Sequence, residues 1–61
     1  MIVDEEYYGD KWQISQFTGK NEVRIYKNQK PYKTISGVKA GLSATDLLRI
    51  LHLYQLEDKE D

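Results

Sequence analysis

Among its 61 residues the chain has no cysteine, one proline, one histidine and four glycines. Without thiols there is neither a disulfide staple nor a thiolate metal site, a composition that fits a reducing cytoplasm. No apolar run approaches the roughly 20 residues needed to span a bilayer. The start, Met1 to Glu6, offers no basic segment leading into an apolar one, so a cytoplasmic protein with no membrane partner is expected. Gly37 and Gly41 stand alone, so no glycine-rich phosphate cradle exists. His52 has no sequence neighbours that would complete a catalytic triad or a ligand set, and it reads as a solvated helix residue. The carboxylates Asp4, Glu5 and Glu6, and those of Glu57, Asp58, Glu60 and Asp61, do not follow the spacing of a calcium-wrapping loop. The expectation is a non-enzymatic protein with no cofactor and no metal site.

A chain of this length holds one small domain. Its core only narrowly offsets the roughly 1.5 kcal/mol of ordering entropy per residue, so self-association is a common source of extra stability. The net charge of −1 conceals a segregation. Residues 1–10 carry four acids and no base, and residues 51–61 carry four acids and one lysine. Between them, eight bases face two acids, so a basic body sits between acidic ends. Residues 1–10 are read as an acidic, partly ordered arm, and residues 57–61 as an acidic tail.

The clearest local signal is the helix predicted from Leu42 to about Leu56. Ser43 is placed as N-cap with Asp46 at N3, a capping box with aspartate in the acidic position, and Leu42 and Leu47 have the spacing of a hydrophobic staple. Leu47, Leu48, Ile50, Leu51 and Tyr54 cover one face. Arg49 and His52 mark the wet side, while Leu53 and Leu56 fall outside the main apolar arc. The surplus has two readings: a helix-to-helix homodimer using Leu53, Leu56 and Arg49, or cover from the N-terminal residues of the same chain.

Ahead of the helix, alternation predicts three strands. Lys11–Phe17 places Trp12 and Ile14 on one face, and Glu22–Lys27 places Val23 and Ile25 inward. Pro31 delays the third strand to Tyr32–Ser36, with Ile35 inward. Gly37 to Gly41 is read as a flexible connection anchored by Val38. The predicted fold is α+β, a three-stranded antiparallel meander followed by one C-terminal helix (β-β-β-α). Gln13, Ser15, Arg24, Tyr26, Tyr32 and Thr34 would then share the uncovered face.

Aromatic and cationic side chains on one sheet face suit single-stranded nucleic acid, since bases stack on tyrosine rings while lysine and arginine follow phosphates. The candidate contacts are Lys20, Arg24, Tyr26, Lys27, Lys30, Tyr32, Lys33 and Lys39. The alternative is a small protein-protein interaction module or inhibitor, in which tyrosines and spare leucines act as anchors. Edge lysines that block aggregation explain the same residues without any ligand.

Phe17-Thr18-Gly19-Lys20-Asn21-Glu22-Val23-Arg24-Ile25-Tyr26, followed by Lys39-Ala40-Gly41-Leu42-Ser43, resembles the end of the positive-cofactor-four family of transcription coactivators and their bacterial and phage relatives. That resemblance implies a dimer that binds single-stranded DNA through a basic hairpin, with Lys20, Arg24, Tyr26 and Lys39 as contacts. It covers about half the chain, which departs from the pattern in the extra Ala40, the shorter strands and the acidic C-terminus. Around Gly41-Leu42-Ser43 and Asp46 the chain also resembles phage inhibitors of uracil-DNA glycosylase, which implies a protein partner instead.

Overall fold

Four antiparallel strands precede one helix: β1 Ile2–Tyr7, β2 Asp10–Ser15, β3 Glu22–Lys27, β4 Lys30–Ser36 and α1 Ala44–Glu60. The sheet order is β1-β2-β3-β4. The structure is a computed structural model, and it describes residues 1–60. The three-stranded plan is therefore corrected to a four-stranded meander plus helix, because residues expected to form a loose arm build β1 instead.

The reason β1 forms lies partly outside its own sequence. Val3 and Tyr7 alternate onto the helix side and pack at the rim of the core. Glu5 lies between them on the same side, where an acid would oppose strand formation. There it accepts hydrogen bonds from Gln55 Nε2 at 2.9 Å and pairs with His52 Nε2 at 3.1 Å, so α1 satisfies it. Tyr8 and Gly9 turn the chain with φ of 49° and 82°, the left-handed pair of a two-residue hairpin loop. Asn28 and Gln29 do the same between β3 and β4, with φ of 51° and 67°.

Trp12, Ile14, Val23, Ile25, Leu47 and Leu51 form the buried core between sheet and helix. The helix starts where its cap dictates: Ser43 Oγ accepts from the Asp46 amide at 3.2 Å, and Asp46 Oδ2 accepts from the Ser43 amide at 3.3 Å. The Ser43 hydroxyl, which donates to Asp46 Oδ2 at 2.9 Å, and the Ser43 amide together hold the Asp46 carboxyl below its ordinary value. Instead of ending near Leu56, α1 runs through Glu60. Asp58 is therefore helical and reaches Lys27 Nζ at 2.7 Å.

The connection between β4 and α1 is tied down. Gln16, only 5% exposed, donates from Nε2 to the Lys39 carbonyl at 2.8 Å and accepts from the Leu42 amide at 3.0 Å. Asn21 holds the same segment, its carbonyl accepting from Gly37 and Val38 and its side chain from Ala40. These bonds satisfy backbone groups in an irregular segment that lacks a ladder of its own.

Candidate interaction surface

One face of the sheet is covered by α1 and the other is not. Alternation and register put Ile2, Asp4 and Glu6 of β1, Lys11, Gln13 and Ser15 of β2, and Glu22, Arg24 and Tyr26 of β3 on the uncovered side. Thr34 and Pro31 of β4 stand opposite Arg24 and Tyr26. Phe17, just past β2, is 55% exposed and lies under the Arg24 guanidinium, 5.9 Å from ring centroid to Cζ. Arg24 Nε also donates to Glu22 Oε2 at 2.9 Å. Hydrogen bonding to Glu22, with a smaller share from Tyr26, holds the guanidinium above its ordinary pKa, so it stays cationic. Beside Tyr26, a concavity of about 370 Å³ is lined by Asp4, Lys11, Gln13 and Gln29 among others.

The eight residues expected to share one basic surface are divided between the two sides of the sheet. Arg24 and Tyr26 are on the uncovered face. Tyr32 is on the opposite side, its ring edge-on to Trp12 at 5.0 Å between centroids, which corrects its expected placement. The cause is a bulge: Ile25 pairs with Lys33 while Tyr26 pairs with Pro31, leaving Tyr32 as the extra residue. The inserted residue shifts the alternation by one, so Tyr32 joins the core rim. Lys33, two residues before the inward Ile35 and on the same side of the bulge, faces the helix by plain alternation, 5.6 Å from the Tyr54 ring.

Lys27 also faces the helix, between Asp58 at 2.7 Å and Asp10 at 3.8 Å. The bond to Asp58 raises its pKa against the opposing effect of desolvation. Lys30, the register partner of Lys27, shares that side. Lys20 and Lys39 occupy the two connections at the end of the sheet away from the hairpins. On the uncovered face itself, Asp4, Glu6 and Glu22 outnumber Lys11 and Arg24.

On α1, Arg49, Leu53 and Leu56 fall on one stripe at i, i+4 and i+7, pointing away from the core, with Leu53 66% and Leu56 56% exposed. The arm does not cover these leucines. The polar residues that matter most to the geometry, Gln16 and Gln55, carry no local sequence signal of burial, because their partners lie 23 to 50 residues away. Among the described residues, no helix is long and apolar enough to cross a membrane, and no three His, Cys, Asp or Glu side chains are grouped to hold a metal ion.

No protein-family model matches the chain, and no curated protein or solved structure matches it.

Proposed function

We propose that the chain is a small non-catalytic protein-binding module whose contact surface is the uncovered sheet face around Phe17, Arg24 and Tyr26. The observation that carries this reading is the charge of that face, where three carboxylates accompany two cations and Arg24 is already paired with Glu22. A phosphate backbone gains little from such a surface, whose affinity would have to come from counterion release by clustered bases. A protein partner gains more. Arginine and aromatic side chains are the usual energetic anchors of protein interfaces, and the concavity beside Tyr26 is large enough to receive a partner side chain.

The single-stranded nucleic-acid reading keeps one specific support: exposed Phe17, cationic Arg24 and Tyr26 lie on an uncovered antiparallel sheet. It then depends on three side chains instead of eight. Two measurements separate the readings. Binding of a labelled oligonucleotide, followed by anisotropy at low and high salt, should be negligible in both. Chemical cross-linking in cell extract should capture a partner with the wild-type chain and lose it with Phe17→Ala and Tyr26→Ala. Tight oligonucleotide binding that weakens steeply with salt would reverse the assignment.

The outer stripe of α1 supports an accompanying proposal of self-association. Two helices packed antiparallel about an axis between Leu53 and Leu56 set Leu53 against Leu56 of the second copy and Arg49 against Glu60. The stripe is small beside a stable interface, which buries about 1,200–2,000 Å², so a dimer is expected only at high protein concentration. Sedimentation of the wild type and of Leu53→Asp tests it, and identical monomeric behaviour at all concentrations would exclude it.

A further inference from the structure

The two outer strands of the sheet differ in how they are closed to further pairing. β4 carries Pro31, which has no amide hydrogen, the bulge at Tyr32, and Lys30 and Lys33. Each of these features obstructs the addition of another strand. β1 has none of them. It is six residues long, regular in register throughout, and lacks proline and lysine.

The backbone groups it presents can be named. The Met1 amine donates to the Gln16 carbonyl at 2.6 Å, and the Gln16 amide donates to the Met1 carbonyl at 2.9 Å, so Met1 and Gln16 form a hydrogen-bonded pair. In an antiparallel ladder such pairs alternate. Val3, Glu5 and Tyr7 therefore bond toward β2, while the amides and carbonyls of Ile2, Asp4 and Glu6 point outward, with no strand among the described residues beyond them. The side chains of these three residues stand on the uncovered face, which gives the edge two carboxylates. Asp4 already accepts from Gln13 Nε2 at 3.0 Å through Oδ1, leaving Oδ2 for a second partner.

We infer that β1 is a docking edge for an extended segment of another protein with lysine or arginine at alternate positions, which adds to the sheet as a fifth strand. The inference rests on the reading of the chain as a protein-binding module, but it uses the sheet's edge where that reading uses its face. Backbone bonds to Ile2, Asp4 and Glu6 supply the pairing, and bases opposite Asp4 and Glu6 supply the selectivity. A second copy of this chain is a poor occupant. Antiparallel self-pairing centred on Asp4 sets that carboxylate against its own copy, and β4 of another molecule is obstructed by Pro31 and the bulge.

The test uses a capped hexapeptide of alternating arginine and valine, with alternating glutamate and valine as control, added to the nitrogen-15-labelled full chain. Amide hydrogen exchange read by NMR should slow at least about tenfold at Ile2, Asp4 and Glu6, the protection expected when solvated amides enter a ladder. Val3, Glu5 and Tyr7, already bonded, should change little. The acidic peptide should bind about tenfold more weakly or worse, as expected when two cross-strand pairs change from opposite to like charge. Asp4→Pro removes an outward amide that bonds to nothing in the sheet, so it should abolish protection while the far-ultraviolet spectrum is kept. Should that variant unfold, the Asp4→Lys, Glu6→Lys double variant must bind the basic peptide about tenfold more weakly. Absence of binding by the basic peptide, binding without protection of the three amides, or binding indifferent to these substitutions would overturn the inference. Phe17→Ala and Tyr26→Ala report on the face alone. If they lose the cross-linked partner while the peptide fails, only the edge is refuted; if the peptide protects β1 while they change nothing, only the face is.

Discussion

Replacing Gln16 by alanine is the sharpest test of how the helix is joined to the sheet. The Gln16 side-chain amide bridges two backbone groups, the Lys39 carbonyl and the Leu42 amide, at 2.8 and 3.0 Å in a site that is 5% exposed. Each such bond contributes about 0.5–1.5 kcal/mol net, so losing both should cost about 1–3 kcal/mol. In a domain of this size 1 kcal/mol moves the melting temperature by about 4–8 °C, so a drop of roughly 5–20 °C is expected. Thermal melts followed by circular dichroism measure it. Gln13→Ala is the matched control, because its amide bonds only the exposed Asp4 carboxylate, and it should stay within about 0.5 kcal/mol of the wild type. If Gln16→Ala melts with Gln13→Ala, the connection is held by Asn21 and by the packing of Val38 and Leu42, and the bridge contributes nothing separable.

Three further outcomes follow from particular contacts. Gln29 is held at φ 67°, so Gln29→Gly should stabilise the hairpin by about 0.5–1 kcal/mol, and a lower melting point would show that the turn does not need the left-handed conformation. Ser43→Ala should cost about 1 kcal/mol through loss of the cap, measured by urea unfolding; no change would place the start of α1 elsewhere. Burial pushes the Glu5 carboxyl up, but the hydrogen bonds from His52 and Gln55 and the charge of His52 outweigh it, leaving the pKa below the ordinary 4.5. A depressed carboxyl stabilises the fold above its unfolded value and loses that contribution as pH falls through its folded value. The stability gap between wild type and Glu5→Gln should therefore narrow on acidification from about neutral to about pH 3, and a gap independent of pH would refute the pairing.

Local chemistry was enough to specify the helix start, the two central strands and the six core residues. Ser43 and Asp46 cap within one turn, and Trp12, Ile14, Val23 and Ile25 declare their side by alternation, since each signal lies within a few residues of its effect. The uncovered face was legible for Gln13, Ser15, Arg24 and Tyr26 for the same reason. A two-residue periodicity, however, cannot anticipate an inserted residue. The bulge carries Tyr32 and Lys30 to the helix side, where plain alternation already sets Lys27 and Lys33, so the basic surface expected from sequence is divided.

Only the folded chain decided the rest. Asp4, Glu5 and Glu6 read as an interruption until His52 and Gln55, 47 and 50 residues away, meet Glu5 and make a fourth strand possible. Gln16 reads as one polar residue among many until the β4–α1 connection folds back onto it. A buried polar group is tolerated because of its partner, and no short window of sequence contains a partner that distant.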